Sequence, residues 1–294
     1  MVKTIIFHSG SAKTGSTTLQ AHLMAMPSRL AQAKAFYCHR MVRSGDVDPL
    51  NFAVRDVRNE RKRRKAVSNG RERLRHLFED EGFDTVILSN ESAIGDPFHD
   101  TKPGFFPLMH DALAGLQEMF EGYRVVPVFF VRSQATLLPS FYGQRIRQGA
   151  SYDLKTFSSR ALSFDLSWHP VVKAFQAAFP EEALELHKFE EFVAGPASYI
   201  DALFSKLLDM EPVEATAVIS KNSAAKSHAV WLMRKLNAMA EGKGPAEHSE
   251  TIKKRLRRTL FRLIEQLNTG QRLELAMADA EKLEQLYQAD LSTF

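Results

Sequence analysis

Lysine, hydroxyl side chains and two glycines crowd one short stretch, His8-Ser-Gly10-Ser-Ala-Lys13-Thr14-Gly15-Ser16-Thr17-Thr18. It follows the apolar run Thr4-Ile5-Ile6-Phe7 and precedes a helical segment carrying Leu19, Leu23 and Met24. A strand, a glycine-containing loop and a helix in that order aim backbone N–H groups and a helix N-terminus at an anion. Gly10 and Gly15 have the G-x-x-x-x-G spacing of a triphosphate loop, yet Ser16 stands where that motif places its lysine, and the lysine lies inside the loop as Lys13. A Ser/Thr-rich turn that only caps a helix has the same composition, so the loop alone fits both readings.

Two more candidates stand at the ends of apolar runs. Val125–Val131 leads directly into Arg132, with Ser140 eight residues on. A guanidinium there suits a fixed phosphate, because its fork donates two parallel hydrogen bonds, and the serine hydroxyl could donate to the same group. Thr85–Leu88 leads into Ser89-Asn90-Glu91-Ser92. A carboxylate at that edge can accept a proton from a reacting hydroxyl within hydrogen-bond reach; the same residues also read as a cap at a strand-to-helix turn. His39 and His8 are the alternative bases that the family resemblance set out below would allow, although a lone histidine is more often structural or surface-exposed.

The elements that must position these groups follow from periodicity. Thr4–Phe7, Thr85–Leu88, Val125–Val131 and Leu184–Leu186 read as strands. Val125–Val131 is apolar on both faces, as in a strand covered by helices on both sides, although Pro127 argues against a central position. Leu74, Leu77 and Phe78 share a helix face that Gly82 ends, and Ile200, Leu203, Phe204, Leu207 and Leu208 form a core-facing stripe. Helical stripes at Ile252–Leu267 and Leu283–Tyr287, after a loop at Glu241–Ala246, make the last third helical. The expectation is an α/β fold: a central, mostly parallel sheet flanked by helices, in one domain over 1–294 with a helical C-terminal region from about 224. Ligands of such sheets bind at the carboxyl ends of the strands.

Taken together, Lys13-Thr-Gly-Ser-Thr17 and the Arg132/Ser140 pair resemble the two donor-site motifs of the sulfotransferase family, with bacterial and carbohydrate-type members the most similar in character. Tyr142, Phe189-Glu-Glu-Phe192 and Lys221-Asn-Ser223 are similar to further family segments, so the resemblance spans most of the chain. It departs from many cytosolic members in lacking a close match to their late glycine-rich donor loop, with Lys221 as a candidate for that contact. The resemblance implies a P-loop-like fold and 3′-phosphoadenosine 5′-phosphosulfate as donor. It implies that Lys13 and the N–H groups of Thr14, Gly15, Ser16, Thr17 and Thr18 hold the 5′ side, and that Arg132 and Ser140 hold the 3′-phosphate. It further implies Glu91 as the base, no metal, and an acceptor hydroxyl on a carbohydrate, glycolipid or small molecule.

Composition narrows the alternatives. Hydrophobic residues at 44% and charged residues at 25% are ordinary globular values, and the single Cys38 excludes a disulfide framework or a cysteine-rich metal site. No run reaches the roughly 20 apolar residues of a membrane span, and the first strand begins at Thr4, so a cytoplasmic protein without a signal peptide is expected. Ten Lys/Arg stand against three acidic residues between Arg55 and Arg75, a local +7 in a chain of net +4. That window suits an anionic partner or a solvated helix face; without interleaved aromatics it does not suggest nucleic acid. Two rival functions remain: a P-loop kinase, which would need lysine at position 16 and a metal-holding aspartate, and a non-catalytic anion- or nucleic-acid-binding protein. The sequence leaves the oligomeric state open.

Overall fold

The structure, a computed structural model, describes residues 2–11, 13–39, 41, 50, 60–99, 101–212, 226–241, 264 and 270–294. The stripe of Ile252, Leu256, Leu260, Leu263 and Leu267, the loop after Glu241, the Lys221-Asn-Ser223 segment and the start of the basic window at Arg55 and Arg58 lie outside them. The chain divides into two compact units, Met1–Arg132 with Ser167–Lys221, and Ser133–Leu166 with Asn222–Phe294.

The first unit is an α/β layer structure. Its sheet comprises β1 (Thr4–His8), β2 (Ala35–Cys38), β3 (Thr85–Ser89), β4 (Arg124–Val131) and β5 (Glu185–Lys188). The spatial order is β2-β3-β1-β4-β5 and every pairing is parallel. Three strands form where β-branched and aromatic runs predict them. β5 begins one residue later than its leucine alternation suggests, and the edge strand β2, Ala-Phe-Tyr-Cys, is an addition that the sequence pattern did not reveal.

Pro127 sits inside β4 without costing a ladder bond. The Ser9 N–H donates to the Val128 carbonyl at 3.0 Å, so Val128 faces β1 and Pro127 faces the other side. There β5 starts only opposite Val128, one residue further on.

Helices cover both faces. On one, α1 (Ser16–Ala25), α2 (Pro27–Gln32), α8 (Phe189–Ala194) and α9 (Pro196–Leu207) bury Leu19, Leu30, Phe192 and Phe204 against Ile6, Val128 and Phe130. On the other, Phe7 meets Phe120 of α4 (Met109–Phe120) edge-on at 5.4 Å, and Phe129 meets Phe175 of α7 (His169–Ala178) at 5.2 Å. α3 (Glu60–Arg75), prolonged by a π-helical turn at His76–Asp80, packs on α4; a side chain in place of Gly70 would overlap Met119.

The described part of the basic window is largely ion-paired. Arg63 meets Glu118, Arg64 meets Glu60, Arg71 meets Glu121, Arg73 meets Glu81 and Arg75 meets Glu79. Two of those carboxylates come from the α4 region rather than from the window itself.

The described second unit contains α5 (Gln134–Gln148), α6 (Leu154–Ala161), α10 (Ser227–Glu241) and α11 (Met277–Leu291). Asn237 of α10 donates to the Ile146 and Ala150 carbonyls at the end of α5, both at 2.8 Å. At the start of α5, the Ser133 hydroxyl donates to Glu284 of α11 at 2.6 Å. Among the described residues, no helix is long and apolar enough to cross a membrane.

One polar cluster pins α2 to α9 and tests the packing of the first unit. Arg29 pairs with Asp201 and donates to the Ser205 hydroxyl at 2.7 Å and the Glu211 carbonyl at 2.6 Å. Asp201 is buried, so Arg29→Met leaves a carboxylate in the interior without its charge partner. Stability should fall by about 3–5 kcal/mol in urea unfolding; a change under about 1 kcal/mol contradicts a buried, coupled pair.

Candidate functional site

Strand order locates the site. From β1 the chain crosses past β3 to β2, whereas from β4 it crosses the opposite way to β5. The crevice at the carboxyl ends of β1 and β4 is therefore the topological switch point, where open α/β sheets bind ligands. β3 flanks β1 on its other side. The three strand ends that carry Glu91, the Lys13 loop and Arg132 are thus consecutive in the sheet.

The loop leaving β1 turns on two left-handed residues, Lys13 at φ 74° and Gly15 at φ 80°. Gly15 is needed twice over: its φ suits glycine, and a Cβ there would overlap the Phe192 ring of α8. Gly10 is close-packed as well, since a Cβ would stand 2.7 Å from the Thr14 hydroxyl oxygen. That hydroxyl donates to the Ser11 carbonyl at 2.6 Å, closing the loop on itself. α1 then starts at Ser16 with no side chain capping it. Uncapped first-turn N–H groups and the helix dipole favour an anion at that point.

Glu91 reaches the same place from β3. Its carboxylate accepts a hydrogen bond from the Ser16 hydroxyl at the first position of α1. The turn around it is closed by Asn90, whose side chain accepts from the Ser92 N–H at 2.9 Å, and the next helix begins only at Met109.

Beneath the loop, His8 is wholly buried, with Nδ1 2.8 Å from the Ser89 hydroxyl and Nε2 without a hydrogen-bond partner. Burial, with His187 adding to it, lowers its pKa to about 3. His8 is therefore a neutral floor residue rather than a base facing an acceptor. His39 is exposed beyond β2, 3.5 Å from the Tyr37 hydroxyl.

Arg132 closes the crevice. Its Nη1 donates to the Lys13 carbonyl at 2.7 Å, and its guanidinium carbon lies 4.6 Å from the centre of the Phe189 ring. Its own carbonyl accepts from the buried Trp168 indole at 3.1 Å. Ser140 belongs to the second unit, half-buried on α5. Tyr142 is buried there, its hydroxyl donating to the Tyr152 carbonyl at 3.1 Å, with burial pushing its pKa up to about 12. Phe189, Phe192 and Trp168 are site-shaping residues that no local pattern exposes; in the sequence, Phe189 and Phe192 stand out only as part of a family-like segment. Among the described residues, no group of three or more His, Cys, Asp or Glu is placed to hold a metal ion.

No protein-family model matches this chain, and no curated protein matches it. Among solved structures it is similar to the crystal structure of a sulfotransferase from Alicyclobacillus acidocaldarius, at 12% identity and a TM-score of 0.43, over 82% of this chain and 96% of that one.

The neutral floor predicts a pH dependence. Below about pH 6.5 the unfolded chain protonates His8, while the folded chain resists protonation down to about 3. The lowered folded pKa thus contributes stability that is present above the unfolded value and lost as pH falls towards 3. His22 and His187, both lowered chiefly by burial, act in the same direction. Between about pH 7 and about pH 5 the His8 contribution to the loss should reach about 2 kcal/mol. His8→Gln should flatten the urea-unfolding free energy over that interval by a comparable amount. An unchanged slope contradicts a buried neutral His8.

Proposed function

We propose that the chain is a sulfotransferase, moving a sulfuryl group from 3′-phosphoadenosine 5′-phosphosulfate to an acceptor hydroxyl. The observation that carries this reading is the convergence at adjacent strand ends of an uncapped helix N-terminus, two cationic residues and a carboxylate. That donor set fits a phosphosulfate: N–H groups and cations for the anion, with Glu91 alongside for a proton. Position 16 is serine, and the described strands end in His8, Cys38, Ser89, Val131 and Lys188, none of them an aspartate for the magnesium of a kinase.

In this reading the N–H groups of Thr14 to Thr18 hold the 5′-phosphate. Lys13 supplies a positive charge whose value grows as negative charge develops on the departing nucleotide. Arg132 takes the 3′-phosphate. Glu91 accepts the proton of the acceptor hydroxyl as that oxygen attacks. When bound, the donor supplies a sulfuryl group whose bond to the bridging phosphate oxygen breaks as its bond to the acceptor oxygen forms, in line. A carbohydrate or lipid-linked hydroxyl is the proposed acceptor class.

Ligands that bind only the folded chain raise its melting temperature. Adenosine 3′,5′-bisphosphate should do so, and ATP with magnesium should not; the reverse would favour a kinase, and a response to any polyanion a non-catalytic binder. Glu91→Gln should keep nucleotide binding while losing at least about 100-fold in sulfuryl transfer. Near-normal transfer in that variant would remove Glu91 from the base role.

A further inference from the structure

Phe189 and Phe192 stand three residues apart on α8, and each touches a different half of the crevice. Phe192 fills the space that a Cβ on Gly15 would need. Phe189, half-buried, lies under the Arg132 guanidinium at 4.6 Å. A cation over a ring face is held electrostatically and restricted in direction. That restriction matters because the direction of the Arg132 side chain decides what it can reach. Its Nη1 donates to the carbonyl of Lys13, a residue in a left-handed conformation that non-glycine residues seldom adopt. Below it, Trp168 grips the Arg132 carbonyl and packs on Phe129 at 5.7 Å, fixing the backbone from which the side chain departs.

We propose that Phe189 is a positioning residue, its ring setting the Arg132 guanidinium against the Lys13 carbonyl and so shaping the anion loop from α8. Its effect on ligand rests on the reading of Arg132 as a phosphate-binding residue; its effect on the guanidinium does not. A phenylalanine that merely fills the core would act independently of Arg132. One that acts through the guanidinium has nothing left to do once the guanidinium is gone.

A double-mutant cycle on the full chain separates the two. Affinity for adenosine 3′,5′-bisphosphate is measured by calorimetry at fixed salt in the wild type, Phe189→Leu, Phe189→Tyr, Arg132→Ala and the Phe189→Leu/Arg132→Ala pair. Phe189→Leu should weaken binding about three- to tenfold, and Phe189→Tyr, which keeps the ring, by less than about twofold. On the Arg132→Ala background, Phe189→Leu should cost less than about twofold more. Equal losses on both backgrounds, or no loss in Phe189→Leu, overturn the proposal.

If the wild type binds no bisphosphate, the donor reading fails, and the positioning role is read from nitrogen-15 NMR of the Arg132 Nε–H instead. Exchange that is slow in the wild type and fast in Phe189→Leu sustains it. Exchange that is the same in both overturns it.

Discussion

The hydrogen bond from Arg132 to the Lys13 carbonyl joins two strand ends that lie 119 residues apart in the sequence. It holds a non-glycine residue in the left-handed region, at a conformational cost of about 1–2 kcal/mol. The loop can keep that shape because its surroundings over-determine it. Gly15 turns immediately afterwards, the Thr14 hydroxyl closes back on Ser11, and Phe192 leaves no space above Gly15. Without the parallel pairing of β1 with β4, the arginine and the lysine would not share a crevice.

The interior beneath the loop is built to match. His8 faces the same side of the sheet as Ile6, among Phe130 and the α8 and α9 side chains, where an imidazolium would be cut off from solvent. Remaining neutral, it keeps one hydrogen bond, to Ser89 at the end of β3. Gln20 of α1 reaches the same serine, donating to its carbonyl at 3.3 Å. The ends of β1 and β3 and the body of α1 are thereby tied together below the point where Glu91 meets Ser16. The carboxylate's position is a consequence of that packing as much as of its own turn.

Much of the frame was legible from local pattern. Ile5–Phe7, Val86–Leu88 and Val125–Val131 are dense in β-branched and aromatic residues, and the stripe from Ile200 to Leu208 has helical spacing. The edge strand β2 escaped because Ala-Phe-Tyr-Cys is short and lacks β-branching. Pro127 argued against a central strand, and only pairing register reveals that its missing N–H faces a position β5 does not reach. In the basic window, charge could be counted but its neutralisation could not, because Glu118 and Glu121 stand more than 40 residues away in sequence. Lys13, Arg132 and Glu91 were readable as strand-end residues. Their contacts were not, since Glu91 meets Ser16 across 75 positions, and nothing local marks Phe189 or Trp168 as partners of Arg132.

If the ends of β3, β1 and β4 form one donor site around the Lys13 loop, a single bound nucleotide must touch all of it. A crystal structure of the chain soaked with adenosine 3′,5′-bisphosphate would show whether it does. The 5′-phosphate should lie against the first N–H groups of α1 and Lys13, with the 3′-phosphate on Arg132. A nucleotide bound elsewhere, or one whose 3′-phosphate turns away from Arg132 into solvent, would contradict a donor site at these strand ends.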